Sequence, residues 1–171
     1  MTASATDQLA ALDGVAAVLR EGPDRDALFK AVEDALQGTI GHRLFTLLAV
    51  LPDGEQVQRF WSSDEKAYPL TGRKRVGPTP WGEVVLKGKA PYLGLDPDAI
   101  RWAFADHELI ASLGLGSVIN IPIVHEGRLL GTMNILHGEN HFSERDVEIA
   151  NRFSPYLVSA FADEVEALAA G

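Results

Sequence analysis

The 171-residue chain contains no cysteine. That excludes disulfides, thiolate metal sites and every mechanism built on a thiol. Long apolar runs are missing too. The most apolar one, Leu44-Phe45-Thr46-Leu47-Leu48-Ala49-Val50-Leu51, is stopped by Pro52 and Asp53. Spanning a bilayer takes about 20 such residues, so this run reads as a buried strand. Met1 to Asp7 carry neither a basic nor an apolar stretch. No secretory signal is expected, and the protein is expected to be cytoplasmic. Positive charge is scarce: 15 Lys and Arg stand against 24 Asp and Glu, a net charge of −9. Such a balance disfavours nucleic acid and anionic membranes as partners. A Gly-rich phosphate loop, a nucleophile elbow and a paired-carboxylate motif are all absent.

What is present is the apolar content of an ordinary globular protein, 46% of residues. One domain is expected over residues 1–171, with its core at about 7–168. Leu9, Leu12, Ala16 and Leu19 have helical spacing, and Gly22-Pro23 ends that helix. Asp24 can cap a second helix with Leu28, Val32, Leu36 and Ile40 on one stripe. A hairpin follows, with strands at about 43–51 and 55–62 around Pro52-Asp53-Gly54. Val57 and Trp61 are expected to point inward. Residues 63–96 are rich in Gly, Pro and charge, including Arg73-Lys74-Arg75, which could receive a phosphate or carboxylate but reads more readily as a solvated charged loop. Within this stretch a short helix is expected at 80–87 after Thr79, and an edge strand at 91–95. Asp96-Pro97 opens a helix at about 98–113.

Residues 117–124 and 129–136 form the second hairpin. Ser143 and Asp146 then make the capping box of a last helix, whose stripe runs from Val147 to Leu168. Pro155 is expected to kink it. This order implies an α+β fold with an antiparallel or mixed sheet, antiparallel being the favoured reading. Terminal helices would cover one face, and pocket-forming loops and short helices the other.

The segment Ser117-Val118-Ile119-Asn120-Ile121-Pro122-Ile123 to Phe142-Ser143-Glu144-Arg145-Asp146 resembles the C-terminal half of a GAF domain. The shared features are apolar-Pro-apolar at 121–123, Gly127 in the turn, Leu130-Gly131 opening the next strand, and F-[ST]-x-x-D starting the last helix. The resemblance covers nearly the whole chain and implies a GAF/PAS-like sheet and a small-molecule-sensing role. With no effector domain expected within these residues, it implies a regulator acting in trans. Free methionine sulfoxide reductases of this fold and covalent bilin attachment both need cysteine, and the Asn-Lys-x-Phe-Asp-Glu signature of cyclic-nucleotide binding is also missing.

Candidate pocket residues come from several patterns. Trp61, Tyr68, Trp81, Tyr92 and Trp102 cluster around the segment that walls the pocket in GAF domains. They read as a sandwich for a planar ligand or as a satellite core. His107, beside Glu108, falls on the apolar stripe of the 98–113 helix. It would line a pocket or be a satisfied buried histidine. Asn120 and Asn134 interrupt apolar strands and need polar partners. A three-residue loop His125-Glu126-Gly127, the favoured reading, places both on one face and sets Asn120 opposite Thr132. A two-residue turn would separate them.

His137 and His141 are four apart but leave a strand across Gly138. A metal site from His107, His137 and Glu108 lacks any recognised spacing, so no metal or cofactor is expected. The leading expectation is a ligand-binding sensory domain with Trp61, Tyr68, Trp81, Trp102, His107, Asn120, Thr132 and Asn134 in its pocket. The alternatives are an enzyme with His107 as base and Glu108 as its orienter, or a scaffold with a vestigial pocket. Homodimerisation through the terminal helices is compatible with all three.

Overall fold

The computed structural model describes residues 3–22 and 24–171. Two helices come first, α1 (Ala5–Glu21) and α2 (Arg25–Thr39). Ser4 and Asp7 form a capping box at the start of α1, and Gly22 closes it in the left-handed conformation. Pro23, the other half of the expected break, lies outside the described residues, as do Met1 and Thr2. Asp24 caps α2 as its spacing implied, accepting from the Ala27 N–H.

Among the described residues the six strands are β1 (Leu44–Val50), β2 (Gln56–Ser62), β3 (Arg73–Arg75), β4 (Tyr92–Gly94), β5 (Ser117–His125) and β6 (Arg128–His137). They form one antiparallel sheet in the order β3-β2-β1-β6-β5-β4. The basic triplet Arg73-Lys74-Arg75, expected as a loop, is therefore an edge strand paired with β2.

Period-2 alternation sorts the sheet into two faces. Phe45, Leu47, Ile119, Ile121, Met133 and Ile135 join a core with Phe29, Val32 and Leu36 of α2. The same core takes in residues from α6 (Glu144–Asn151) and α7 (Val158–Ala170). Leu44, Leu48, Val118 and Leu136 belong to a second core on the opposite face. That face is covered by residues 67–86, by α3 (Pro80–Gly82) with a wider turn at Glu83–Lys87, and by α4 (Pro97–Ala103) and α5 (His107–Ser112). The α+β expectation thus holds, with terminal helices on one face and short helices on the other.

Three expectations are corrected. The 98–113 helix is two helices, because Phe104 is extended at φ −131°, ψ 132° and ends α4. Pro155 breaks the last helix instead of kinking it: α6 stops at Asn151, and a tight turn at Ser154–Leu157 precedes α7. The second hairpin has a two-residue turn, Glu126-Gly127, with φ of 50° and 77°. A bulge between Ile123 and Val124 then shifts the register, so Asn120 faces Asn134 and Thr132 faces Pro122. Both asparagines still share one face, through the bulge and not through a three-residue loop.

Candidate functional site

The face covered by the short helices encloses a small cavity. Its floor is β1, β5 and β6, which supply Leu44, Thr46, Asn120 and Asn134. Its free volume is 30 Å³. A second cleft of 290 Å³ lies outside it. The two share Arg59, Tyr68, Lys74, Phe104 and Asp106, which stand as a side-chain gate between them.

On the floor, a directed chain of amide hydrogen bonds crosses the sheet. The Trp81 indole Nε1 donates to Asn120 Oδ1 at 3.0 Å. Asn120 Nδ2 donates to Asn134 Oδ1 at 2.8 Å. Asn134 Nδ2 then reaches Thr46 Oγ1 at 3.3 Å. All four residues are buried. The mid-strand asparagines thus satisfy one another and hold the Trp81 ring against the cavity.

At the gate, the Tyr68 hydroxyl donates to Asp106 Oδ2 at 3.1 Å. Lys74 Nζ lies 3.8 Å from Asp106 Oδ1 and 5.1 Å from the Phe104 ring centroid. Arg59 sits over the Tyr68 ring at 4.8 Å and donates from Nη1 to the Pro69 carbonyl at 2.9 Å. Its buried Nε has no acceptor.

A family model for the GAF domain matches residues 22–162. The chain belongs to the GAF domain family. Its fold is similar to that of several solved GAF structures. One is the GAF domain of a phosphoenolpyruvate-protein phosphotransferase from Coxiella burnetii: TM-score 0.73, 18% identity, covering 95% of this chain and 99% of that one. The phycocyanobilin-bound GAF domain of a cyanobacterial phytochrome has a TM-score of 0.70 and 20% identity, covering 91% and 94%. The free methionine-R-sulfoxide reductase from Neisseria meningitidis, in complex with its substrate, has a TM-score of 0.71 and 19% identity, covering 98% and 96%. No curated protein matches.

In this GAF domain the expected pocket residues go to different places. Tyr68, Trp81, Asn120 and Asn134 line the cavity. Thr132 is buried on the same sheet face, its hydroxyl without a partner, but outside the lining. A register shift between β1 and β2 turns Trp61 to the other face. There its ring packs 5.6 Å from Phe29 and its Nε1 donates to Glu33 at 3.0 Å. Trp102 is exposed and stacks on Tyr92 at 5.4 Å. The break at Phe104 moves His107 off the expected stripe. It opens α5 half-buried, outside the cavity lining, and Glu108 is exposed. His137 and His141 stack at 3.5 Å, and His141 Nε2 is 2.8 Å from the Ile40 carbonyl. No three His, Asp or Glu side chains among the described residues converge as a metal site.

Sequence reasoning missed Arg59 and Asp106 as cavity-lining residues, and offered Lys74 only within a basic triplet that could receive a phosphate or carboxylate. For Arg59 a signal existed: it follows inward Val57 by two residues on β2. Asp106 had none, because it points inward only through the helix break.

The gate's ionisations are perturbed by enclosure. Burial, then the charge of Asp106 and the hydrogen bond to it, pushes the Tyr68 hydroxyl above the usual tyrosine range, against the opposing charge of Arg59. Burial pushes Lys74 down; Asp106 opposes this and Arg59 adds to it. Burial likewise pushes Arg59 down. A raised Tyr68 stabilises the fold fully below the ordinary tyrosine value, near about 10, and that contribution is lost as pH climbs above it. Tyr68→Phe should therefore cost about 1–2 kcal/mol at neutral pH. Above about pH 10 the variant should lose less further stability than the parent. Urea midpoints at the two pH values check this; parallel losses would mean that Tyr68 is not held neutral by the gate.

Proposed function

We propose that this GAF domain senses a small organic molecule in the cavity between the sheet and α3–α5, acting on a partner in trans. One observation carries the reading. The cavity and the larger cleft share five lining residues, the Tyr68–Asp106–Lys74 contact with Phe104 and Arg59. Rotating these groups joins the two spaces without unfolding any strand. At 290 Å³ the cleft already lies near the lower end of the about 300–1,000 Å³ usual for ligand pockets. Closure of residues 63–96 and α4–α5 around the ligand would be the response. The phytochrome GAF domain and the reductase, similar in fold, hold phycocyanobilin and a substrate respectively.

The reading extends to a homodimer through the terminal helices, where Leu9 and Leu19 of α1 are exposed. A cytoplasmic setting and the absence of nucleic-acid or membrane partners belong to it as well. The supports are the net charge of −9 and the lack of any described helix long and apolar enough to cross a membrane.

Three tryptophans make the test specific. Trp81 lines the cavity, Trp61 packs on the opposite face and Trp102 is exposed. In ¹⁵N spectra with a metabolite library, a true ligand should shift the Trp81 indole signal and leave Trp61 in place. If no compound moves Trp81 selectively, the sensory reading falls and the scaffold reading takes its place.

A further inference from the structure

We infer that the ligand of this pocket is an organic carboxylate with an apolar body, its carboxylate seated on Arg59 and Lys74 in the place now held by Asp106. The inference rests on the pocket reading above and names the ligand's chemical class.

Charge is the first argument. The protein is acidic overall, at −9. Yet the outer cleft is lined by Arg59, Arg73, Lys74 and Arg75 and by a single acid, Asp106. Arg75 is neutralised by Glu55 at 2.6 Å, and Arg73 Nε donates to the neutral Gln58 at 2.5 Å. Arg59, only 7% exposed, makes no direct ion pair with a described carboxylate, and the charge of Asp106 offsets only part of its burial. A buried guanidinium without a carboxylate is costly unless something else completes it.

Geometry is the second. Nη1 of Arg59 is spent on the Pro69 carbonyl. Nε is buried and lacks an acceptor, and Arg59 is a lining residue of both spaces. The free side-on edge of a guanidinium matches the planar, two-oxygen head of a carboxylate. Tyr68 and Phe104 present aromatic faces beside it, which suits an apolar body.

Asp106 supplies the third argument. Its carboxylate already accepts the Tyr68 hydroxyl and faces Lys74. It stands directly before α5, yet its side chain caps nothing. The gate is thus built around a carboxylate that is not committed to holding the helix. A ligand carboxylate replaces it, takes the Lys74 and Tyr68 contacts and adds Arg59. Asp106 then swings out and carries the start of α5 with it, which couples binding to the surface.

The experiment titrates the full chain with benzoate and hexanoate, their primary amides, and inorganic phosphate. The Trp81 indole signal and calorimetry are the readouts. At least one acid should shift Trp81, bind about tenfold or more tightly than its amide, and weaken with added salt. Arg59→Met should remove that preference, and Arg59→Lys should restore only part of it. Asp106→Asn should bind the acid several-fold more tightly and its amide no more tightly, and Asp106→Glu should not bind the acid more tightly. Circular dichroism confirms that each variant is folded; should Arg59→Met fail to fold, Lys74→Met and Asp106→Asn decide. Amides binding as well as acids would overturn the carboxylate class and leave the pocket reading intact. Phosphate matching the acids would show that charge alone is read, and the carboxylate assignment would fall. If no acid moves Trp81, the inference fails; if the metabolite library moves nothing either, the sensory reading fails with it.

Discussion

Replacing Gly131 with alanine should destabilise this GAF domain by about 3 kcal/mol or more, the largest effect expected from a single added methyl group. Gly131 lies on β6 between Ala49 of β1 and Ile123 of β5. A Cβ there would stand 2.1 Å from the Leu48 carbonyl oxygen and 2.6 Å from the Phe161 ring. The oxygen belongs to a paired central strand, so it cannot retreat. The ring is fully buried and packs edge-on against Phe60 at 4.8 Å. Either β1 leaves its ladder with β6 or α7 lifts from the sheet. Gly14→Ala is the control. Nothing lies within 4 Å of its added Cβ, and it sits inside α1. It should raise stability by about 0.5–1 kcal/mol through helix propensity. Urea denaturation of the two variants should move in opposite directions. An unchanged midpoint for Gly131→Ala would mean that α7 does not seat on β6 through Phe161.

Asn120→Ala should cost about 2–4 kcal/mol and displace the Trp81 indole. The side chain of Asn120 is both acceptor for Trp81 and donor to Asn134. Its loss leaves a buried N–H and a buried carbonyl without their partners. Asn134→Ala breaks the same chain one link further on. In a double-mutant cycle the pair should couple by about 1 kcal/mol or more, because the second loss removes a group already stranded by the first. Purely additive costs would show that the two amides do not bond to each other. The Trp81 signal should broaden or shift in Asn120→Ala while the Trp61 signal, on the other face, holds.

Much of the architecture was legible because it rests on local chemistry. Asp24, Thr79, Asp96 and the Ser143–Asp146 pair cap helices where their spacing placed them. Each satisfies backbone N–H groups a few residues away, so sequence neighbours suffice to decide it. The asparagine pair was legible as a polar need inside an apolar strand, though not the route that met it. A bulge at Ile123/Val124 set the register, and no residue pattern announced that bulge.

The tryptophans show the same limit. Within 42 residues of sequence, Trp61, Trp81 and Trp102 go to the α2 face, the cavity and the surface. Trp61 took the α2 face because β1 and β2 slip by one residue, and a one-residue slip reverses a side chain's face.

The sequence alone therefore determined what cannot occur and what pairs locally. Without cysteine no thiol chemistry is open to this GAF domain. Alternation, caps and turns were enough to specify two hairpins in an α+β sheet between two layers of helices, and the pairing of all six described strands is antiparallel. Tertiary structure alone decided the gate. Arg59, Lys74 and Asp106 come from β2, an edge strand and a helix break 47 residues apart at their extremes, and they converge only once the sheet and its cover are assembled. Their charges acquire meaning from enclosure, since a cation exposed to water needs no partner and one buried beside Tyr68 does.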